Sequence, residues 1–214
     1  MIPPSFDYHA PATLPDALKL LGQYGDDAKV LSGGQSLLPM LKLRLASPGH
    51  LVDIGRIPGL DYIREDGGFL KIGALVREAA LEASSLVQSK YAILVDTAAV
   101  IADPIVRNLA TVCGNLAHGD PANDHPATML ALGASVVVTG PQGSRTIPIT
   151  QFFTGIFTTA LAPSEVLTEV KVPVPPAGSG GAYVKLERKV GDFATAAVAV
   201  YVVLSASGTC DQVG

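Results

Sequence analysis

The chain has 214 residues, of which 48% are hydrophobic, and this suffices for one large domain or two small ones with full cores. Its formal net charge of −4, with no cluster of lysine, arginine and aromatic residues, argues against a nucleic-acid-binding protein. Charged residues make up 16% of the chain, below the roughly 25% of an average domain. We therefore expect partner proteins to cover part of the surface; a surface of small residues is the alternative.

The sequence carries no signal for a membrane span, for secretion or for a metal cluster. The longest apolar run, residues 196–204, is less than half of the roughly 20 residues that a membrane span needs, and it predicts a buried strand. The first residues have neither a basic n-region nor an apolar core, so we expect no secretion signal and a cytoplasmic location. Cys113 and Cys210 stand alone, which predicts neither a disulfide framework nor an iron–sulfur or zinc site in this chain.

The first half of the chain begins with a helix-start signature. Thr13 suits an N-cap, Pro15 suits the first turn and Asp16 lies near the positive end of the helix dipole, so we expect a helix to about Tyr24 that ends at Gly25. The further elements expected up to residue 101 are strands at 28–31 and 50–54, a short helix at 37–45, a hairpin of 62–65 and 69–73 around Asp66-Gly67-Gly68, and helices at 75–84 and 91–101.

The second half predicts an α+β chain with one clear linker, residues 173–181, which is rich in proline and glycine. The expected elements are a helix at 121–132, a hairpin of 134–139 and 144–148, and strands at 166–172, 182–189 and 195–204. We place one domain at residues 1–177, with subdomains of about 1–56 and 57–177. An isolated two-stranded hairpin is marginally stable in water, so we expect residues 178–214 to begin an α+β subdomain that the chain does not complete.

Two glycine-bearing segments of similar design each follow an apolar stretch: Ser32-Gly33-Gly34-Gln35-Ser36 and Thr111-Val112-Cys113-Gly114-Asn115. Glycine adopts positive φ without a Cβ penalty, so such a turn can point successive backbone N–H groups into one concavity. A concavity of this kind binds a pyrophosphate without lysine. Either segment alone is compatible with an ordinary turn. Together they predict two halves of one phosphate site, with Ser32, Ser36 and Thr111 as hydroxyl donors.

The longer stretches around these segments, residues 28–44 and 101–126, resemble the FAD-binding medium subunit of the molybdenum hydroxylases, the xanthine dehydrogenase family. Within that family they are most similar to the aerobic carbon monoxide dehydrogenase type. Residues 6–8, 165–173 and 185–195 extend the resemblance over essentially the whole chain. It implies an FAD-binding fold of the vanillyl-alcohol oxidase type. The sequence agrees, because no G-x-G-x-x-G of a Rossmann fold follows any strand.

The resemblance implies a set of cofactor-binding residues: Ser32, Gly33, Gly34, Gln35, Ser36, Thr111, Gly114, Asn115, Asp124, Leu167, Lys185 and Phe193. The chain departs from the family pattern twice. Gln35 stands where relatives usually have histidine, and it keeps a side-chain hydrogen bond near the loop. Cys113 stands where they usually have glycine. A left-handed cysteine would cost about 1–2 kcal/mol, so the geometry of the second loop is in question.

The residues beyond the loops have implied roles at the flavin, most of them with a structural alternative. Asp124 approaches the ribityl or ring portion. Lys185 lies near the isoalloxazine, where a cation stabilises the reduced anionic flavin; a solvated strand-edge lysine is the alternative. Phe193 covers a flavin face and Leu167 adds an apolar contact, with core packing as the alternative for both.

The run from His118 to His125 can also be read as a metal site. Its two histidines, seven residues apart, match no standard ligand spacing, so polar contacts at the flavin are the preferred interpretation.

By resemblance, the chain is an FAD-carrying electron-transfer subunit without catalytic residues of its own. A molybdenum cofactor in a large subunit oxidises the substrate, two [2Fe–2S] clusters in a small subunit relay electrons, and FAD passes them to an external acceptor. The implied assembly is a dimer of heterotrimers. A self-sufficient flavin oxidase of the same fold and a flavin-free assembly subunit are the alternatives. Carbon monoxide, an aldehyde and an N-heterocycle all remain open as substrates, because substrate choice belongs to the large subunit.

Overall fold

Helices alternate with three main sheets in the computed structural model, which describes residues 2–214. The helices are α1 (Leu14–Tyr24), α2 (Leu37–Lys42), α3 (Glu78–Ala83), α4 (Ser85–Lys90), α5 (Ala92–Ala99), α6 (Pro104–Arg107), α7 (Val112–His118), α8 (His125–Ala131) and α9 (Ile149–Phe152). The strands are β1 (Asp7–His9), β2 (Ala28–Leu31), β3 (His50–Asp53), β4 (Ile63–Asp66), β5 (Phe69–Gly73), β6 (Ser135–Gly140), β7 (Gly143–Pro148), β8 (Phe153–Gly155), β9 (Thr158–Thr159), β10 (Val166–Pro173), β11 (Ser179–Glu187), β12 (Ala194–Leu204) and β13 (Cys210–Val213). The predicted α+β class is confirmed.

The N-terminal part is a parallel sheet in the order β1-β3-β2 with α1 against it. The Thr13 hydroxyl accepts a hydrogen bond from the Asp16 N–H at 3.3 Å, and Pro15 lies in the first turn, as predicted. The buried stripe of α1 and the sheet share a small core that includes Ala17, Leu18, Leu21, Ala28, Val52, Ile54 and Ile57. Parallel strands share one carboxyl edge, and β2 delivers the first glycine segment to it.

The central part is a five-stranded antiparallel sheet in the order β4-β5-β10-β6-β7. The β4–β5 hairpin turns at Gly67 and Gly68, whose φ angles are +59° and +82°, as the sequence predicted. One face of the sheet packs against helices in the main core. Its largest fully buried members include Tyr91, Phe152, Leu70, Ile72, Leu81, Leu94, Leu116 and Met129.

The C-terminal part differs from the expected two-stranded hairpin. It is a three-stranded antiparallel sheet, β11-β12-β13, because residues 210–213 pair with β12. Helix α5 packs on β11 and α8 packs on β12, so helices cover one face of this sheet. Tyr183 and Tyr201 join the main core. The predicted linker is also shorter than expected, since β10 continues to Pro173 and β11 begins at Ser179.

Helix boundaries differ where local hydrogen bonds hold the chain out of a helix. The predicted helix 121–132 begins only at His125, because the Asp120 carboxylate accepts from the Ala122 N–H at 2.9 Å in a turn. The predicted helix 75–84 begins at Glu78, since Arg77 pairs with Thr111 in an isolated β-bridge. The sequence did not predict the helices α4, α6, α7 and α9. Within residues 2–214, no helix is both long and apolar enough to cross a membrane.

Candidate functional site

A cavity of about 450 Å³ opens between the carboxyl end of β2, the start of α7 and the β8–β9 hairpin. Its volume lies in the range of small-molecule and cofactor sites. The predicted residues that line it are Ser32, Gly33, Gly34, Gln35, Ser36, Thr111, Gly114, Asn115 and Leu167. The structure therefore brings both glycine-bearing segments to one cavity, although 79 residues separate Ser32 from Thr111.

The two segments touch at the cavity wall. The Ser32 and Thr111 hydroxyl oxygens are 3.2 Å apart and share a hydrogen bond. A Cβ atom added at Gly33 would lie 2.2 Å from the Leu109 carbonyl oxygen and 2.9 Å from the Ala110 Cα. Gly33 is therefore required for the close approach of the two backbones.

The first segment presents a row of free donors. Gly34 has a φ of +73°, which turns the chain between β2 and α2. Among residues 2–214, the backbone N–H groups of Gly33, Gly34, Gln35 and Ser36 have no acceptor. The Gln35 side chain donates instead to the Gly33 carbonyl at 3.2 Å, so it stays with its own loop, as predicted. Consecutive free N–H groups beside a cavity form an anion-binding concavity.

The second segment is not a glycine turn of matching design. Thr111 is the N-cap of α7, and its hydroxyl accepts from the Gly114 N–H at 3.2 Å. Cys113 and Gly114 both lie in α7 without positive φ, so the strain considered for Cys113 does not arise. Burial first, and the Glu78 carboxylate second, raise the pKa of the Cys113 thiol far above its ordinary value. We therefore interpret Cys113 as an apolar wall residue.

Asn115 supplies an unsatisfied polar atom at the same cavity. Its Oδ1 atom is buried and has no hydrogen-bond partner among the described residues, while its backbone carbonyl accepts from the Asn123 amide at 2.9 Å. A buried polar atom without a partner costs free energy unless a bound group satisfies it. The free loop amides, the hydroxyls and Asn115 together fit a ligand that carries phosphate oxygens beside further polar groups.

Asp124, Lys185 and Phe193 lie outside this cavity. The Asp124 carboxylate accepts from the Tyr183 hydroxyl at 2.6 Å and from the Lys185 ammonium at 3.2 Å, and Lys185 also donates to the Val100 carbonyl at 3.0 Å. Burial, followed by this bond to Asp124, raises the pKa of Tyr183. The Lys185 side chain is 2% exposed, so the alternative of a solvated strand-edge lysine is wrong.

Phe193 is 65% exposed, which rules out core packing, whereas Leu167 is buried in the core and also lines the cavity. The roles of Asp124, Leu167, Lys185 and Phe193 at a flavin stay predictions.

The histidines of the 118–125 run lie in different environments. His125 is fully buried and its Nε2 is 2.7 Å from the Glu78 carboxylate. His118 lines the cavity, 4.0 Å from the Asp120 carboxylate. Within residues 2–214, no three His, Cys, Asp or Glu side chains are arranged to hold a metal ion. The sequence analysis missed Phe157, which also lines the cavity and whose sequence context contains no binding motif.

Comparison with known proteins gives the chain a family context. The family model described as the FAD binding domain in molybdopterin dehydrogenase matches residues 4–175. The carbon monoxide dehydrogenase medium chain of Hydrogenophaga pseudoflava is 52% identical over 200 residues, which cover 94% of this chain and 70% of that relative. The 6-hydroxypseudooxynicotine dehydrogenase complex subunit alpha of Paenarthrobacter nicotinovorans is 43% identical over 212 residues, covering 99% and 72%.

The fold agrees with a solved structure of the same family. The structure of carbon monoxide dehydrogenase from Hydrogenophaga pseudoflava that lacks the Mo-pyranopterin moiety of the molybdenum cofactor superposes with a TM-score of 0.96 at 51% sequence identity. The match covers 100% of this chain and 74% of that chain. The fold around the cavity is therefore one that a carbon monoxide dehydrogenase contains.

Proposed function

This chain belongs to the family of FAD-binding domains in molybdopterin dehydrogenases, and we propose that it is the FAD-carrying electron-transfer subunit of a carbon monoxide dehydrogenase type of molybdenum hydroxylase. The observation that carries the proposal is the cavity wall where both glycine-bearing segments meet, with four consecutive free N–H groups from Gly33 to Ser36. The FAD diphosphate is an anion that such a row of donors can bind.

The binding residues compensate phosphate charge with dipoles more than with cations. The Gly33–Ser36 amides offer hydrogen bonds from one wall. The Ser32 and Thr111 hydroxyls share one hydrogen bond, so one of the two keeps a free O–H to donate to the ligand. The contact at Gly33 keeps the walls close enough for one diphosphate to reach both. Hydrogen bonds to a charged acceptor are about twice as strong as neutral ones, so several together can hold the group without a lysine.

The ring portion belongs beyond the diphosphate, toward the C-terminal sheet. The ion pair of Asp124 and Lys185 joins β11 to the start of α8, and Phe193, in the connection between β11 and β12, presents an exposed aromatic face. An exposed phenyl ring suits stacking on a flat ligand. Bound FAD supplies the exchange between two-electron and one-electron transfer, and the residues of this chain bind it, orient it and limit its contact with water.

Partner subunits follow from the same proposal. We place a small iron–sulfur subunit and a large molybdopterin subunit beside this chain, in a dimer of heterotrimers in the cytoplasm. The 52% identity to a carbon monoxide dehydrogenase medium chain supports carbon monoxide as the substrate of the whole enzyme. The 43% identity to a subunit of 6-hydroxypseudooxynicotine dehydrogenase keeps an N-heterocycle as the second candidate.

Thermal unfolding with and without FAD tests the cofactor assignment. At 100 times its Kd, FAD stabilises the folded state by about 2.7 kcal/mol, which raises Tm by about 5–10 °C for a chain of this size. Gly34→Val places a β-branched residue at φ +73° in the loop and should abolish the shift. Gly68→Val, at φ +82° in the β4–β5 turn, imposes similar strain away from the cavity and should keep it. An absent shift in the parent chain, or an equal shift in both variants, contradicts the assignment.

A further inference from the structure

His118 is a polar cavity residue that the two glycine-bearing segments leave unexplained. It lies at the end of α7, three residues after Asn115 and four after Gly114. Residues at these spacings share a helix face, and three residues correspond to a rise of about 4.5 Å. All three line the cavity. The imidazole therefore continues the polar wall that begins at Thr111.

The imidazole is partly buried and keeps its hydrogen-bonding capacity. Its side chain is 18% exposed, and within residues 2–214 neither ring nitrogen has a hydrogen-bond partner. The nearest carboxylate, that of Asp120, is 4.0 Å away, which is too long for a hydrogen bond. Because the imidazole lines the cavity, its nitrogens are available for a hydrogen bond to a ligand atom there.

Phe157 fixes the orientation of the imidazole. Its ring centroid is 5.2 Å from that of His118, with the two planes tilted by 53°, so space on one side of the imidazole is taken. Phe157 has a φ of +52°, which is strained for a bulky residue, and its N–H donates to the Gly119 carbonyl at 2.9 Å. Because Phe157 occupies one side of the imidazole, a ligand can reach the ring edge that carries the nitrogens. This favours a hydrogen bond to the ligand over stacking.

The elements packed against α7 place few unpaired charges beside this histidine. Asp26, Lys29 and Glu165 also line the cavity, and of these Glu165 pairs with Arg145. Burial lowers the pKa of His118 below its ordinary value of about 6.5, and the Asp120 carboxylate partly offsets this. The β8–β9 hairpin against it, residues 153–159, has no charged side chain. The titratable groups on the other elements packed against α7 have partners elsewhere: Lys71 with Asp66, Glu169 with Tyr62, Lys171 with the Phe69 ring and His125 with Glu78. A bound anion would thus be a dominant new charge beside the imidazole.

We propose that His118 is a further cofactor-binding residue, whose imidazole donates a hydrogen bond to a phosphate oxygen of FAD, so that FAD binds more tightly when His118 is protonated. This inference rests on the proposed function, because it places the diphosphate in this cavity. An adjacent anion raises the pKa of His118 in the complex above that of the free protein. The gain in affinity is complete below the pKa of the free protein and is lost as pH rises through the pKa of the complex.

Titrations of the full chain with FAD at pH 5.5 and pH 8 test the proposal. We expect the Kd of the parent chain to be about three- to tenfold lower at pH 5.5, since a pKa rise of up to one unit corresponds to up to tenfold in affinity. His118→Gln keeps a side-chain donor without the titration and should lose this dependence. The control His9→Gln removes a histidine outside the cavity and should keep it. ADP-ribose, whose diphosphate is esterified at both ends as in FAD and does not titrate between pH 5.5 and 8, should show the same dependence as FAD, and adenosine, which lacks phosphate, should show none.

A proton NMR titration gives an independent measurement. The C2–H signal that disappears in His118→Gln identifies the residue, and saturating ADP-ribose should move its titration midpoint to higher pH. If the parent chain binds FAD but His118→Gln keeps the full pH dependence, or the midpoint does not move with ADP-ribose, the inference is wrong and the proposed function stands. If the parent chain binds no FAD at either pH, the proposed function fails and the inference fails with it.

Discussion

A single missing side chain at Gly33 allows the two halves of the candidate site to meet. The added Cβ of any other residue would overlap the Leu109 carbonyl oxygen at 2.2 Å, and backbone atoms cannot move aside as a flexible side chain can. Gly34 has a different reason to be glycine, because its φ is +73°. Two adjacent glycines thus serve two separate requirements, close approach and turn geometry.

Gly33→Ala should separate the two segments and weaken FAD binding. We expect a loss of about 1–3 kcal/mol in the free energy of unfolding from overpacking, and an FAD Kd at least about tenfold higher. Gly22→Ala is the matched control, because Gly22 lies in α1 with nothing within 4 Å of the added Cβ. It should raise the free energy of unfolding by up to about 1 kcal/mol and leave the Kd unchanged. Urea unfolding and fluorescence titration measure both quantities; equal Kd values for the two variants would refute the role of Gly33.

At the scale of elements, a buried ion pair joins the C-terminal sheet to the rest of the chain. The Lys185 side chain on β11 is 2% exposed and that of Asp124, before α8, is 8% exposed. Tyr183, on the same strand, donates to the same carboxylate. Removing one partner of a buried pair leaves an uncompensated charge, whereas removing both is much less costly.

Lys185→Met should lower the free energy of unfolding by about 3–5 kcal/mol, because it leaves the Asp124 carboxylate buried without its cation. The double variant Asp124→Asn/Lys185→Met should recover the part of this loss that comes from Asp124, whereas Glu187, whose carboxylate is 3.6 Å from the Lys185 ammonium, still lacks the cation. Lys189→Met, at a site 69% exposed, should change the free energy of unfolding by less than about 0.5 kcal/mol. Urea unfolding of the parent, Asp124→Asn, Lys185→Met and the double variant measures the coupling, with Lys189→Met as the control. Additive losses would show that the two side chains are independent.

Elements with local signals could be predicted from the sequence, and contacts between distant segments could not. The Thr13 cap and the Gly67-Gly68 turn lie within a few residues of what they determine, and both are observed. The sequence left a solvated Lys185 open as the alternative because its partner Asp124 is 61 residues away and the pairing requires α8 to pack on the sheet. Phe157 was missed because only the fold of the β8–β9 hairpin brings it to the cavity.

At the scale of the whole molecule, the cavity lies between two hydrophobic cores. Leu21, Ala28 and Ile54 of the N-terminal core line one side, and Cys113 and Leu167 of the main core line the other. A ligand that contacts both sides binds only when the two parts are folded and packed together. Its binding free energy therefore stabilises the folded state of both parts. A cavity in this position suits a cofactor that stays bound while electrons pass through it.

The FAD-loaded chain alone should not be reduced by carbon monoxide or by an aldehyde under anaerobic conditions. Our proposal assigns substrate oxidation to a partner, and Cys113, which is buried, and Cys210, which is exposed, cannot supply the four thiolates that a [2Fe–2S] cluster needs. Bleaching of the flavin absorbance measures reduction. Dithionite should bleach the isolated chain, which shows that its flavin can be reduced, whereas carbon monoxide should bleach it only after both partner subunits are added.

Gly33→Ala in the same complex should lose this bleaching, because less FAD is bound. Bleaching of the isolated chain by carbon monoxide or an aldehyde would instead identify a self-sufficient flavin enzyme, and bleaching of the complex by an N-heterocycle but not by carbon monoxide would reassign the substrate.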